Sequence, residues 1–417
     1  MEPVSEPQPS EILGQDVGDG SEWSLDVPFW PQSSTIPQAS AEWTTTATAT
    51  QHPLADNSTN LTTAGPSPEV ADTTNSSQHE PDVEADQAIQ NLNFFTPCAA
   101  TATMFLYAQG SSIVCTYHNT LTISRTFSGH IGEVQFLAVN NKTRFDGGCL
   151  VVSYDSGKTV IVWDFISGVE IIRYISQEPL SCAAWMRDGS IVFGTTQGSI
   201  ILFEPKTSKQ TSITTPAQTA ITHLAPLVDC RTFAIGCQNG TLLIALLQPQ
   251  FTLLHDLAAS KRSSPITGLA WHVTHPNEEG EKLAVQTGDG RLQVWSVPKW
   301  HHFGDPARVI RLLRLTKDPV AGPNWMGWSR NGRIIQYSNS QTLSWDVRTK
   351  HVTYDSIPTL EHVRGLAVYG PGATLFTLGP NNTVQQFDLS SPSVMVSNRR
   401  HPVNLPPPPP VSEETNN

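Results

Sequence analysis

The sequence predicts an all-β fold, a seven-bladed β-propeller in which each blade is a small four-stranded sheet. Short apolar segments rich in β-branched and aromatic residues recur along most of the 417-residue chain, and no long helical period competes with them. These segments also repeat as a unit at intervals of 40 to 50 residues. Because four strands cannot bury both faces alone, neighbouring units must stack, and closing the stack into a ring protects the end faces.

One position in the third strand of each unit sets the repeat. In five units a small polar turn residue precedes this anchor position by six residues, and two looser copies come earlier in the chain. We therefore expect the anchors to occupy equivalent places in the seven blades. The pairs of turn residue and anchor are Ser111 with Tyr117, Asp155 with Trp163, Gln197 with Phe203, Asn239 with Ala245, Asp289 with Trp295, Asn339 with Trp345, and Asn381 with Phe387.

The units follow one another closely, and each from the second on offers four short strands, a to d. The first unit is the least regular, because its strand a has to come from 92–99, a segment that contains a proline. We predict the propeller over 91–401, between a disordered acidic tail over 1–90 and a Pro-rich disordered tail over 402–417. The predicted units are 93–128, 129–176, 177–214, 218–257, 264–315, 321–357 and 362–401.

The second unit resembles the WD40 repeat. Gly129-His130 opens it and Trp163-Asp164 closes its third strand, within the spacing of that family. In WD40 repeats the histidine, a Ser or Thr of strand b, the b–c turn aspartate and the tryptophan form a hydrogen-bonded set. Such buried groups satisfy one another, and each would be costly alone. The matching residues here are His130, Ser153, Asp155 and Trp163.

Other units keep parts of this pattern. Acidic residues that recur at the repeat period predict turn and blade-packing roles rather than catalysis. The resemblance implies a scaffold whose ring faces and central channel mouth bind partners, with loops setting specificity. The residues assigned to blade packing are His130, Ser153, Asp155, Trp163, Asp164, Asp289, Trp295, Trp345 and Asp346.

The charge of the chain is unevenly distributed. Residues 1–90 hold 15 acidic residues and no Lys or Arg, while the remainder holds 22 acidic and 25 basic residues, so −15 + 3 gives the net charge of −12. The predicted propeller is thus close to neutral, which argues against a nucleic-acid footprint.

Both tails carry a candidate docking motif. Residues 21–30 place Trp23 and Trp30 among acidic residues, a composition typical of activation-domain or partner-docking motifs; a solvated tail with chance aromatics is the alternative. Pro406–Pro410 favours a polyproline II rod that SH3-, WW- or EVH1-type domains bind, with a stiff spacer as the alternative.

The fifth unit has the most distinctive connections. Its a–b segment 275–282 is acidic, and its c–d segment 298–307 is aromatic; in a propeller both leave on one face. Exposed aromatics there would suit partner binding, or they fold back over the blade edge. The basic stretch that follows is the fifth unit's outer strand or, alternatively, an amphipathic helix for an acidic partner or membrane surface. As a basic edge it could attract the acidic N-terminal tail. The candidate partner-binding residues are Trp300, His301, His302, Phe303, Arg308, Arg311, Arg314, Trp23 and Trp30.

The sequence contains no pattern typical of an enzyme, metal or cofactor site. It lacks H-E-x-x-H, G-x-S-x-G, Walker-type and G-x-G-x-x-G motifs, so we expect no catalytic, metal or cofactor residues. The six cysteines include no C-x-x-C pair and are expected as free core thiols. No apolar N-terminal segment or span of about 18 apolar residues occurs, so we expect an intracellular protein, cytoplasmic or nuclear, rather than a secreted one.

The favoured function is therefore a non-enzymatic WD40-like scaffold that joins protein partners in a multiprotein complex. A nuclear transcription-regulatory subunit using the acidic-aromatic tail and a membrane-surface-binding propeller remain as alternatives.

Overall fold

The computed structural model describes residues 95–140, 149–186, 188–229, 231–247, 250–259, 263–272, 280–299, 306–314, 322–349, 351–390 and 392–404. Its strands form seven four-stranded antiparallel sheets, here called blades 1 to 7. One short 3-10 turn, Pro380–Asn382, is the helical element of the described residues. Within them, no helix has the length and apolar character to cross a bilayer.

Each blade is one contiguous stretch of chain. Blade 1 holds β1 (Cys98–Ala100), β2 (Met104–Gln109), β3 (Ser112–Tyr117) and β4 (Ile123–Phe127). Blade 2 holds β5 (Val134–Val139), β6 (Leu150–Asp155), β7 (Thr159–Asp164) and β8 (Glu170–Ile175); blade 3 holds β9 (Leu180–Trp185), β10 (Ile191–Thr195), β11 (Ser199–Glu204) and β12 (Lys209–Thr214). Blade 4 holds β13 (Ile221–Pro226), β14 (Thr232–Cys237), β15 (Thr241–Leu246) and β16 (Thr252–Ala258); blade 5 holds β17 (Ile266–His272), β18 (Gly280–Thr287), β19 (Leu292–Pro298) and β20 (Arg308–Leu313). Blade 6 holds β21 (Trp325–Trp328), β22 (Arg333–Ser338), β23 (Gln341–Asp346) and β24 (Thr353–Ile357); blade 7 holds β25 (Gly365–Tyr369), β26 (Thr374–Leu378), β27 (Thr383–Asp388) and β28 (Val394–Arg400).

The blades close into a ring through their first strands. These strands contact one another in the cyclic order β1, β5, β9, β13, β17, β21, β25 and back to β1. The fold therefore confirms the predicted all-β, seven-bladed propeller. The short β1 supplies the first strand of blade 1 despite the nearby proline, and no described strand from the C-terminal end joins that sheet.

The core lies between the blades. Seven hydrophobic clusters are present among the described residues, and each draws on two adjacent blades. Strands b and c are buried along most of their length because successive side chains point to opposite neighbouring blades. Strand d of each blade lies at the rim, and most of its residues are exposed or half-buried.

One predicted anchor is wrong by one residue. In β3 the residue that pairs with the second position of strand b is Thr116, opposite Phe105, as Trp163 pairs with Val151 in blade 2. Thr116 is fully buried, whereas Tyr117 is 48% exposed. A bulge precedes Thr116 in the c–d ladder, as it precedes Trp163. A shift of one residue turns a side chain to the other face of the sheet. The prediction based on the aromatic residue Tyr117 therefore selected the wrong anchor position.

The C-terminal end of blade 7 reaches blade 1. His401 is buried, with Nδ1 2.9 Å from the hydroxyl of Tyr107 and Nε2 2.6 Å from the carbonyl oxygen of Leu121. The amide of Asn382 donates to Pro402 O, and that of Gln109 donates to Val403 O. Side-chain hydrogen bonds therefore join the last blade to the first, and the two blades share no described strand.

Candidate protein-interaction surfaces

The four residues implied by the WD40 resemblance lie together in blade 2. His130 Nε2 is 2.7 Å from Ser153 Oγ, and His130 Nδ1 is 3.0 Å from Asp155 Oδ2. The indole Nε1 of Trp163 donates to Ser153 Oγ over 2.9 Å. Asp155 also accepts from the backbone N–H groups of Gly132 and Thr159, which ties the d–a and b–c turns together. All four side chains are buried.

These hydrogen bonds fit one arrangement of protons. Burial lowers the pKa of His130, so the ring is neutral at pH 7. Its Nδ1–H then donates to Asp155, while Nε2 is left to accept the hydroxyl proton of Ser153. The backbone donors and His130 outweigh burial and hold the pKa of Asp155 low. Although a Ser–His–Asp relay is also the arrangement of an activated nucleophile, Ser153 is 0% exposed and already accepts from Trp163. These hydrogen bonds therefore stabilise the blade, and a substrate has no access to the buried hydroxyl of Ser153.

Blades 5 and 6 provide a different hydrogen-bond acceptor for the indole N–H of their tryptophans. In blade 6 the Trp345 indole donates to Gln336 Oε1 over 2.9 Å, and Gln336 occupies the strand-b place that Ser153 has in blade 2. In blade 5 the Trp295 indole donates to Gln293 Oε1 over 3.1 Å. The longer glutamine amide reaches the indole directly, so these blades bury the indole N–H without a histidine.

The aspartates that recur at the repeat period stabilise turns by accepting hydrogen bonds. Asp164 accepts from the N–H groups of Ile166 and Ser167 at the start of its c–d turn. Asp346 accepts from the N–H and the side chain of Arg348; these bonds, chiefly that to the guanidinium, lower the pKa of Asp346 to about 2. In the b–c turn of blade 5, Asp289 accepts from Thr287 Oγ1 and Arg291 N.

Several predicted partner-binding residues lie outside the described residues. These are Trp300, His301, His302, Phe303, Trp23, Trp30 and the run Pro406–Pro410. The strands that flank the blade 5 connections are described, and β17 and β19 both end at the same edge of the sheet. The expectation that Trp300 and its neighbours form a binding site stays a prediction.

The basic stretch forms a rim strand, not a helix. Arg308 and Arg311 lie in β20, and Arg314 follows its last residue. Arg308 is exposed, and Arg311 donates from Nη2 to the carbonyl oxygen of Thr349 in blade 6 over 2.7 Å. The edge therefore faces solvent beside blade 6.

A concave surface that the sequence analysis missed lies at one mouth of the central channel, on the face of the d–a and b–c turns. One cavity of about 120 Å³ is lined by residues of blades 3 to 6, including His223 and Trp325, together with Phe95. A more polar cavity of about 440 Å³ lies beside it and is lined by Phe95, Glu133 and Arg364. We call the two cavities together the channel mouth.

Strand-a bulges build the polar part of the channel mouth. In blades 2 to 5 the second residue of strand a is skipped by the a–b ladder, and in each blade its side chain lines a cavity. Bulges commonly re-aim a side chain in this way. The four residues are Gln135, Ser181, Thr222 and Thr267.

Three of these hydroxyls also join neighbouring blades. Ser181 Oγ donates to Ile221 O over 2.5 Å, Thr222 Oγ1 donates to Ile266 O over 2.7 Å, and Thr267 Oγ1 is 2.6 Å from Asn324 Oδ1. A Ser or Thr in second place of three successive first strands was the available signal. This pattern could not be interpreted from the sequence alone, because only the pairing register of strands a and b shows that these residues lie in bulges.

His223 gives the channel mouth a neutral imidazole. Burial lowers its pKa to about 4, and its Nδ1 lies 3.2 Å from Ile266 O, so Nδ1–H donates and Nε2 is left as an acceptor. Phe95 and Trp325 are half-buried there, and Phe95 packs edge-on against Tyr337 with ring centroids 5.5 Å apart. The smaller cavity thus combines aromatic rings with uncharged polar groups.

The described residues hold no cluster of three or more His, Cys, Asp or Glu side chains placed to bind a metal ion. Cys98, Cys115, Cys149, Cys182 and Cys237 are free thiols, and Cys230 lies outside the described residues. Burial raises the pKa of Cys115 and Cys182 to about 12, which keeps both protonated and unreactive.

Comparison with known proteins supports the fold. No protein-family model matches the chain. The β-propeller domain of Cps50 (Swd1) from Myceliophteria thermophila is similar over 70% of this chain and 94% of that domain, with a TM-score of 0.56 and 14% identity. The computationally designed Ika8 protein is similar over 74% of this chain and 87% of its own, with a TM-score of 0.51 and 17% identity. At these identities the likeness shows a shared β-propeller fold.

Proposed function

We propose that this protein is a non-enzymatic, WD40-like intracellular scaffold that joins protein partners in a multiprotein complex, and that one partner inserts a segment into the channel mouth. The propeller fold suits a protein-interaction scaffold. The observation that carries the proposal is the pair of half-buried rings, Phe95 and Trp325, beside uncharged polar groups in a concave surface. Aromatic anchors in such pockets supply much of the binding energy at protein interfaces.

The size and lining of the channel mouth also indicate which kind of side chain would bind there. The cavity of about 120 Å³ has room for one medium-sized side chain, and its walls carry no charged group among the described lining residues. Thr222 and Thr267 already donate to neighbouring blades, while neutral His223 has an acceptor nitrogen to offer. We therefore expect an apolar or hydroxyl-bearing side chain to fill this cavity. Arg364 and Glu133, in the adjoining cavity, would then pair with charged flanking residues.

A pair of aromatic substitutions in blade 6 tests this proposal. The full chain with Trp325→Ser should lose its co-purified partners, and its affinity for one of them, once purified, should fall at least about tenfold, or 1.4 kcal/mol. Tyr354→Ser is the matched control, because Tyr354 lies on the rim of the same blade and is 53% exposed. Thermal unfolding of each variant shows whether the ring is intact.

The result that would overturn the proposal is equal binding by wild type and Trp325→Ser at unchanged stability. A wild-type chain that holds no protein in stoichiometric amount would overturn it as well. A hydrolytic or transfer activity that survives purification and depends on channel-mouth residues would contradict the non-enzymatic assignment.

A further inference from the structure

A groove separates blades 3 and 4 at the rim of the ring. Its volume is about 900 Å³, and β11 and β12 of blade 3 form one wall. Blade 4 forms the other wall with Arg231, which precedes β14, and with Leu247 and Phe251, which lie between β15 and β16. The groove shares no lining residue with either cavity of the channel mouth. We call it the rim groove.

The floor of the rim groove is apolar. Leu202 and Leu247 are buried there, while Ile213 and Phe251 are half-buried and leave part of their surface accessible. All four side chains belong to, or pack against, the hydrophobic cluster between blades 3 and 4. The groove therefore ends on a packed apolar surface, which suits an apolar side chain of a ligand.

The ladder between β11 and β12 decides which side chains face the rim groove. All six residues of β11 pair in turn with the six residues of β12. The bulge that interrupts the c–d ladder of blades 1, 2, 4, 5 and 7 is missing here. Lys209, Thr211 and Ile213 therefore share one face of β12, and all three line the groove.

Two cations lie at one end of the rim groove. Lys209 and Arg231 are exposed, and neither side chain forms a hydrogen bond or an ion pair with another described residue. Glu204 is opposite Lys209 in the ladder, but its carboxylate accepts from the hydroxyl of Thr207 over 3.0 Å. The carboxylate of Asp229 accepts from backbone N–H groups of its own turn. The described lining residues thus hold two cations and one carboxylate, which favours an anionic ligand group.

The strand β12 also offers backbone groups for pairing. It is the last strand of blade 3, and its outer side pairs with no described strand. Five of its six residues are exposed. An open edge of this kind accepts a further strand from another protein, whose backbone contributes affinity and whose alternate side chains contribute specificity.

We infer that the rim groove binds an extended segment of a partner protein, which adds to β12 as a fifth strand of blade 3. A carboxylate of that segment pairs with Lys209 and Arg231, and an apolar side chain packs on Ile213 and Phe251. Cross-strand neighbours on one face of a sheet interact. Because Lys209 and Ile213 lie four residues apart on one face, the Asp or Glu and the apolar residue of the segment are also four positions apart.

Blade 6 serves as the internal comparison, because its c–d ladder is also regular. On the face that corresponds to the rim groove it carries Asp346 and Asp355. Both carboxylates pair with Arg333, and Asp346 also pairs with Arg348. These charges are neutralised within the blade, so we expect an acidic segment to bind at β12 and not at β24.

Selection from a phage-displayed library of random decapeptides on the immobilised full-length protein tests the inference. Enriched peptides should carry Asp or Glu four positions from Leu, Ile, Val or Phe. A synthetic peptide of the enriched sequence should bind Lys209→Glu/Arg231→Glu at least about tenfold more weakly, or about 1.4 kcal/mol. Arg308→Glu/Arg400→Glu is the matched control, because it changes the charge equally on the exposed rims of blades 5 and 7. This control should keep the wild-type affinity.

A reversed selection and amide hydrogen exchange locate the contact. On Lys209→Glu/Arg231→Glu the same library should enrich Lys or Arg in place of Asp or Glu. Saturating wild-type protein with the peptide should slow exchange of the β12 amides at least about tenfold and leave those of β24 unchanged. Trp325→Ser should bind the peptide as wild type does, since Trp325 lies in the channel mouth.

Three results would overturn the inference. The first is a selection that yields no peptide whose binding depends on Lys209 or Arg231, with the melting temperature of the variant unchanged. The second is loss of peptide binding in Trp325→Ser alone, which would assign the peptides to the channel mouth. The third is protection of β12 that rises with protein concentration in the absence of peptide, which would assign this edge to a second copy of the chain.

Discussion

The imidazole of His401 lies 2.9 Å from the hydroxyl of Tyr107, although 294 residues separate them in the chain. The other ring nitrogen lies 2.6 Å from Leu121 O, and the two rings stack at 5.9 Å. These contacts join the residue that follows the last strand to the second strand of blade 1. His401 thus helps to close a ring whose seven sheets are all made of consecutive strands.

We expect His401→Ala to lower the free energy of unfolding by about 2 kcal/mol, because it leaves a buried hydroxyl and a buried carbonyl without a partner. Urea unfolding followed by tryptophan fluorescence measures the change. His362→Ala is the matched control, since His362 is exposed. Equal stability of the two variants would show that His401 does not close the ring.

Ser153 is expected to be the most sensitive residue of the blade 2 relay. Ser153→Ala leaves Trp163 Nε1–H without an acceptor and His130 Nε2 without a donor, at a cost of about 2–4 kcal/mol. Ser329→Ala is a matched control, because the Ser329 hydroxyl is buried but makes no hydrogen bond to any described residue. The free energies of unfolding of both variants, from urea titrations, should differ accordingly; a costlier loss at Ser329 contradicts the relay.

The corrected anchor of blade 1 leads to a third prediction. Tyr117→Ala should change stability by less than about 0.5 kcal/mol, as for exposed residues. Phe387→Ala, at the true anchor position of blade 7, should cost about 3–5 kcal/mol, because that ring is fully buried. Thermal and urea unfolding of both variants measure the contrast. A large loss for Tyr117→Ala would restore the register inferred from the aromatic alone.

Acid should destabilise the ring in two steps. Burial lowers the pKa of His118 and His223 from 6.5 to about 4, so the unfolded chain binds more protons between these values and stability falls as pH drops through that range. Asp346, with a pKa lowered from 3.8 to about 2, contributes stability above 3.8 that is lost between 3.8 and 2.

Urea titrations at pH 7, 5.5 and 4.5 test the first step. His223→Asn keeps a donor for Ile266 O but cannot be protonated, so its stability should fall less steeply over this range. His362→Asn, at an exposed position, is the control and should keep the wild-type slope. A wild-type slope in His223→Asn would exclude His223 as a source of the acid response.

Local patterns in the sequence predicted the blades. A four-stranded blade takes about 40 residues, and its turns, strands and polar relay involve residues close in the chain, such as His130 and Asp155. The spacing of the repeats could therefore suggest the seven-bladed ring, and the resemblance of the second unit to the WD40 repeat implied the set around Ser153. The same spacing misplaced the anchor at Tyr117, because a residue number does not reveal which face a side chain occupies when a bulge shifts the register.

The sequence by itself determined the number and kind of the repeating units, since β-propensity, turn residues and apolar period are properties of neighbouring residues. Only the tertiary structure decided what the ring presents at its centre and at its rim. The channel mouth joins Phe95 to Trp325 and His223 across several blades, and the rim groove joins Lys209 of blade 3 to Arg231 of blade 4. Both depend on register and on contacts between distant segments, which no local pattern encodes.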